Sequence, residues 1–291
     1  MTTAAGAGFG GYAIAEPWRM RVTRYHITPP RWPGGLSLKL AVIADLHACE
    51  PFMDAERISS IVDTTNALQP DCVLLLGDYV AGDGMSRYSQ PLAHKEWAGA
   101  LGRLRAPLGV HSVLGNHDWW DDIEAQRRRA GPTRAGLALQ EAGITLYEND
   151  SVRLQKDGKR FWLAGLGDQW ALLPKSSGPN SEKNYVGVDD LGATLHKVSD
   201  DAPVILMAHE PDVFVNVPDR VALTVAGHTH GGQVRVLGYA PVVPSPKCRR
   251  YLYGHIVEND RHLVVSGGLG CSGLPVRFGS PPEIVLIEVA A

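Results

Sequence analysis

The stretch Gly227-His228-Thr229-His230-Gly231-Gly232-Gln233 follows a continuous apolar run, Val221-Ala222-Leu223-Thr224-Val225-Ala226. A run of that length and composition reads as a strand, so the two histidines are expected where a strand opens into a loop. Two residues apart in extended chain, their imidazoles share a face. Flanking glycines let the backbone bend close beside them, and two neighbouring imidazoles suggest a metal centre.

Working upstream, four more apolar runs end in polar clusters. Leu38–Ala44 delivers Asp45-Leu46-His47, Cys72–Leu76 delivers Gly77-Asp78, Val110–Leu114 delivers Gly115-Asn116-His117-Asp118, and Pro203–Ala208 delivers His209. A lone Asp-x-His or Gly-Asp is common. Five such clusters in order, each at a strand-to-loop boundary, point to one site.

Between the first two runs, Ile58, Ile61, Val62, Thr65 and Leu68 recur at helical spacing, with Asp54 placed to cap the start and Pro70 beyond the end. A strand, a helix and a strand in this order form a right-handed βαβ unit with parallel strands, which brings both acidic strand ends to the same sheet edge. Ligands of open α/β sheets gather at that edge. Further helices are expected near Leu92–Leu104 and Arg134–Ala142, and strands over Ile144–Leu154 and Phe161–Ala164 joined by an Asp157-Gly158 hairpin turn. Strands near Val234–Leu237, His262–Ser266 and Ile284–Glu288 are expected to close a second, more antiparallel sheet. Residues 1–35, rich in Gly and Pro, read as a peripheral segment with a short strand near Arg19–Tyr25, and residues 36–291 as one domain. The irregular stretch 166–187 is a candidate lid or specificity loop, with a plain surface loop as the even alternative.

Carboxylate, imidazole and amide oxygen without thiolate favour divalent Mn, Fe, Co, Ni or Zn. Two such ions can share one carboxylate and hold a water or hydroxide between them, with its pKa lowered towards neutrality. They also stabilise the charge that develops on phosphoryl oxygens.

The ordered set resembles the calcineurin-like metallophosphoesterase superfamily from about Leu38 to Val289. That resemblance implies a four-layer α/β/β/α sandwich of two mixed sheets. It implies Asp45, His47 and His230 on a first ion, Asp78 as the bridge, and Asn116, His209 and His228 on a second. His117 is implied to protonate the leaving group, oriented by Asp118 or Asp45, while a metal-bridging hydroxide attacks phosphorus in line. The motifs GHTHGGQ (227–233), GNHDWW (115–120) and Arg277-Phe278-Gly279-Ser280-Pro281-Pro282-Glu283-Ile284 are similar to the YkuE/YaeI-like phosphodiesterase branch. Members of that branch are often membrane-associated or exported, and some relatives cleave a UDP-diacylglucosamine pyrophosphate bond. The expected activity is therefore a metal-dependent phosphodiesterase, with manganese first among the candidate ions, acting on a small-molecule or lipid-linked phosphate ester. A phosphomonoesterase of the same fold, or a non-catalytic metal-binding scaffold, are the alternatives.

Trp119 and Trp120 follow the third cluster and could wall a leaving group, with core packing at least as good a reading; Arg277 could clamp a phosphate, with a structural ion pair favoured. Asp168 could face the site or cap a turn. The other six histidines read as structural or solvated. A net charge of −3 offers no basic track for nucleic acid. Four scattered cysteines build neither a disulfide framework nor a zinc knuckle. The stretch Ala4–Ala15 is too short to span a bilayer and lacks a basic n-region; it reads as the remnant of an anchor or a leader. Expected locations are the cytoplasm or the periphery of an inner membrane, and nothing in the composition specifies an oligomeric state.

Overall fold

The computed structural model describes residues 11–174, 185–244 and 246–291. Two six-stranded mixed sheets lie face to face. The first contains, in chain order, β1 (Arg21–Ile27), β2 (Leu38–Ile43), β4 (Cys72–Leu75), β6 (Val110–Ser112), β7 (Thr145–Leu146) and β14 (Glu283–Val289). The second contains β8 (Asp150–Lys156), β9 (Lys159–Gly165), β10 (Val204–Met207), β11 (Val221–Ala226), β12 (Gly254–Glu258) and β13 (Arg261–Val265). A separate ribbon pairs β3 (Cys49–Glu50) with β5 (Gln90–Pro91).

Spatial order in the first sheet is β1-β14-β2-β4-β6-β7. The expected βαβ unit is present: β2 and β4 are parallel, joined by the helix Ala55–Ala67, and β4 and β6 are parallel, joined by the helix His94–Leu101. Asp54 caps the first of these helices, its side chain accepting from the Arg57 N–H at 2.8 Å. Ile58, Ile61, Val62 and Thr65 are buried, as the helical spacing predicts. In the 1–35 segment, β1 adds an edge strand parallel to β14.

Three expectations about the second sheet need correction. Its centre is parallel, with β9, β10, β11 and β13 all running the same way, and only the flanking pairs β8–β9 and β12–β13 are antiparallel. The last strand, β14, leaves this sheet and inserts in the first one between β1 and β2. Val234–Leu237 forms only isolated bridges, and Leu237 is fully exposed. The expected strand Ile144–Leu154, of mixed polarity, is divided: Thr145–Leu146 belongs to the first sheet and Asp150–Lys156 to the second. Between them Asn149 takes a left-handed φ of 55°. The Asp157-Gly158 turn has φ of 49° and 75°, as a two-residue hairpin requires.

Alternation explains the layers. Leu38, Leu40 and Val42 of β2 and Leu74 of β4 face Phe161, Leu163, Ile205, Met207, Leu223 and Val225 between the sheets. Ala41, Ile43, Val73 and Leu75 face the helices on the outside, against Ile58, Ile61, Val62 and Trp97. A third cluster joins Ala164, Val204, Leu206 and Val265 to Val213, Phe214 and Tyr251 on the far side of the second sheet. The result is the four-layer sandwich. Among the described residues no helix is long and apolar enough to cross a membrane.

At the site edge one side chain ties the strand ends together. Asp118 Oδ2 accepts the N–H groups of Asp78 and Gly115, each at 2.9 Å, and Oδ1 accepts those of Tyr79 at 2.9 Å and Val80 at 3.3 Å. The loops after β4 and β6 are thus locked to one buried carboxylate. Asp118→Asn keeps one acceptor and places a donor against two of these amides. It should destabilise the protein by roughly 2–5 kcal/mol, read as a lower urea midpoint at unchanged slope. A variant of wild-type stability with slowed turnover would instead make Asp118 the partner of the His117 ring.

Candidate metal centre

All five polar clusters meet where β2, β4, β6, β10 and β11 end. Asp45, His47, Asp78, Asn116, His209, His228 and His230 are buried. The chain turns sharply to aim them inward: Asp45, His47, Asp78, His228 and His230 have φ of 53°, 48°, 57°, 68° and 53°. Left-handed backbone at five such positions costs of order 1–3 kcal/mol each and persists only where the surroundings enforce it.

Asp45, His47 and His230 bring ligand atoms within 4.8 Å of one another. His47 Nδ1 lies 3.1 Å from the Val80 carbonyl and donates to it, which leaves the Nε2 lone pair free to face His230 Nε2 at 3.0 Å. Asp45 Oδ1 accepts the His228 N–H at 2.9 Å, while its buried Oδ2 has no partner. On the other side, His209 Nδ1 lies 2.7 Å from the Leu76 carbonyl, so Nε2 points inward, 3.2 Å from Asn116 Oδ1. His228 Nδ1 is 2.9 Å from the same Asn116 oxygen and 3.2 Å from His209 Nε2. Asp78 stands between the two groups, with Oδ2 3.5 Å from His47 Nε2 and 3.3 Å from His209 Nε2. Its Oδ1 accepts the His117 N–H at 2.8 Å.

The electrostatics favour cations. Burial holds His47 down to about 3 and pushes His228 and His230 well below their ordinary value, so these rings present lone pairs. Burial alone would raise Asp78, but the neighbouring His209, itself pushed well above its ordinary value by the Asp78 carboxylate despite its burial, outweighs it and keeps the carboxyl well below its usual range. A proton on His209 thus balances Asp78 where a cation would. An orphaned buried carboxylate oxygen, facing imidazole nitrogens and an amide oxygen fit divalent ions in two adjoining positions.

His117 is half-buried, the most open of these side chains. Its ring packs edge-on to His47 at 5.1 Å and to Trp120 at 5.1 Å. It lies directly over Gly82, where a Cβ would fall 2.0 Å from Nδ1. Of the two carboxylates expected to orient it, Asp118 accepts four main-chain amides, while Asp45 accepts the His228 amide through Oδ1 and leaves Oδ2 without a partner. Arg277 is fully buried and cannot reach a substrate. Its guanidinium donates to the carbonyls of Gly267, Gly270 and Ser280 and lies 3.2 Å from His230 Nδ1. It buttresses a ligand loop through carbonyls, where an ion pair was the favoured reading. Trp119 is core, packed beside the helices, and its neighbour Trp120 faces the site.

Three arrangements are not assembled from the sequence, although Trp120 and Asp168 are singled out there individually. Gly82 makes room for His117. Trp120, Tyr185 and Trp170 form a stack beside the histidines. Asp168 and Glu210 are buried together behind His209. Burial, and then the Glu210 carboxylate, pushes Asp168 well above its usual range; its Oδ1 also caps a turn, accepting the Trp170 N–H at 2.8 Å. Of the long loop 166–187, residues 175–184 lie outside the described residues.

Two facing sheets with carboxylates, histidines and an amide at five strand ends define a metal-dependent phosphoesterase. Residues 38–259 match the family model described as calcineurin-like phosphoesterase, and the chain belongs to that family. It is 29% identical over 288 residues to the uncharacterized metallophosphoesterase YkuE of Bacillus subtilis (strain 168), covering 98% of this chain and 91% of the relative. It is 28% identical over 296 residues to the phosphodiesterase YaeI of Escherichia coli (strain K12), covering 99% and 95%. A dimetal phosphatase from Danio rerio superposes with a TM-score of 0.41 at 15% identity, over 80% of this chain and 88% of that one.

The Gly82 contact makes a direct test of His117 placement. Gly82→Ala should displace the ring and lower turnover roughly 100-fold with metal content unchanged. Gly34→Ala, where nothing lies within 4 Å of the added Cβ, should have no effect.

Proposed function

We propose that the protein hydrolyses phosphodiesters at a two-ion centre. The observation that carries the reading is Asp78 Oδ2, set 3.5 Å from His47 Nε2 and 3.3 Å from His209 Nε2, one oxygen addressed by both halves of the site. Asp45, His47 and His230 would hold one ion, Asn116, His209 and His228 the other, with Asp78 shared. Bound there, two divalent cations such as manganese supply Lewis acidity to the phosphoryl oxygens and a water acidic enough to yield a nucleophile near neutral pH.

The chain supplies the rest. Four main-chain amides on Asp118 fix where Asp78 and His117 stand. His117, open on its outer side, donates a proton to the departing oxygen as the phosphorus–oxygen bond breaks.

A diester has a second substituent to accommodate, and a groove of about 330 Å³ runs from His230 along Gln233, Val234, Val242, Leu274 and Val276. Its apolar lining suits an alkyl or acyl-bearing alcohol, which supports a lipid-linked ester over a bare sugar phosphate. The 28% identical relative named as a phosphodiesterase supports the same reaction class.

Manganese-loaded protein should turn over bis(p-nitrophenyl) phosphate with higher kcat/KM than p-nitrophenyl phosphate. The opposite order would make it a monoesterase. Asp78→Ala should lose bound metal together with activity, whereas His117→Ala should retain both ions and lose about 100-fold or more in kcat. A metal-free His117→Ala protein would overturn the roles given to these two residues.

A further inference from the structure

A guanidinium carries five N–H donors in one rigid plane, and in Arg277 all five are placed. Nε and one terminal nitrogen donate to the Gly270 carbonyl, and the other terminal nitrogen donates to the carbonyls of Gly267 at 2.8 Å and Ser280 at 2.9 Å. The remaining N–H is directed at His230 Nδ1, 3.2 Å away. Ser280 Oγ holds the same histidine a second time, donating to its carbonyl at 2.9 Å. The carbonyls of Gly267 and Gly270 belong to a turn that lies against Asp45: the Gly270 N–H donates to the Asp45 carbonyl at 2.7 Å, and a Cβ on Gly268 would fall 2.7 Å from the Asp45 Cβ. Arg277 therefore stands behind two of the side chains assigned to the first ion. His209, on the second, is aimed by the Leu76 carbonyl instead.

Arg277 is itself seated by the N-terminal segment. Its main-chain N–H donates to the Ala13 carbonyl at 3.0 Å, and the Tyr12 ring packs edge-on to Phe278, the next residue, with centroids 5.4 Å apart at 75°. The segment is anchored in turn. The Tyr12 hydroxyl donates to Glu16 Oε1 at 3.3 Å, while Arg57 of the Ala55–Ala67 helix donates to the Pro17 carbonyl and lies over the Trp18 ring. Residues 11–18 are thus clamped between a helix of the outer layer and the loop that grips His230. Tyr12 is 42% exposed, so its ring adds little to the core, and its contact with Phe278 is what remains to explain its place.

We propose that residues 11–18 are a positioning element for the first ion: Tyr12 and Ala13 seat Arg277, and Arg277 seats His230 and the turn behind Asp45. This rests on the two-ion reading of the site, and it makes a segment that reads as peripheral in the sequence a working part of the centre. Contacts behind metal ligands are worth about 10–100-fold in metal affinity, and Tyr12 acts one contact further back than Arg277.

Calorimetric titration of the metal-free, full-length protein with manganese reads the two ions separately, and the step that His230→Ala removes is the first position. Tyr12→Ala should weaken that step by roughly fivefold and leave the other as in the wild type, whereas Tyr12→Phe, which keeps the ring, should leave both unchanged. Arg277→Lys should weaken the same step by about 10–100-fold, and Tyr12→Ala should add little in its background, because the two act in series. Where Arg277→Lys does not fold, Ser280→Ala, which frees the His230 carbonyl, takes its place. Unchanged steps in Tyr12→Ala, equal weakening of both, or additive losses in the double variant would overturn the proposal. A wild type that takes up fewer than two ions would instead overturn the two-ion reading, and the metal-free protein then decides. Faster hydrogen exchange at the Gly231 and Gly232 amides in Tyr12→Ala supports the positioning role, and equal rates overturn it.

Discussion

The site depends on one carboxylate surrounded by main-chain N–H groups. Asp118 accepts four amides from two loops that follow neighbouring parallel strands. Parallel strands carry no hairpin to fix their C-terminal ends together, so those ends need a tether. With it in place, Asp78 and the Asn116–His117 turn are set relative to each other, and His117 donates its own amide to Asp78. The second sheet brings His209, His228 and His230 to the same edge. Main-chain carbonyls of Leu76 and Val80, both from the β4 loop, then orient His209 and His47. One loop thus supplies a carboxylate and aims two imidazoles.

Much of this was legible in the sequence because the central strands are buried on both faces and read as unbroken apolar runs. Their ends were marked by an abrupt change to Asp, His, Asn and Gly, and the structure brings those side chains together. The Ala55–Ala67 helix was equally plain, since its buried stripe and its cap are both local signals.

What was hidden was long-range. An apolar run such as Ile284–Val289 announces a buried strand without saying which sheet will take it; nearness in sequence favoured the second sheet, and the gap between β1 and β2 took it instead. Val234–Leu237 has strand-like composition yet lies on the surface beside the groove. Arg277 could not be placed, because its partners are carbonyl oxygens, which leave no trace in residue identity. Trp119 and Trp120 differ by about 100° around a short helix; one enters the core and the other the site. The Asp118 tether was invisible for the same reason as Arg277: main-chain donors are present at every position except proline.

The left-handed backbone at Asp45, His47, Asp78, His228 and His230 sets folding and chemistry against each other. Glycine would relax each of these positions and remove the side chain that gives it purpose. Under the proposed roles, mutational drift towards greater robustness leads away from hydrolysis here, and a descendant released from that duty has a thermodynamic incentive to abandon the proposed ligands first at these five places.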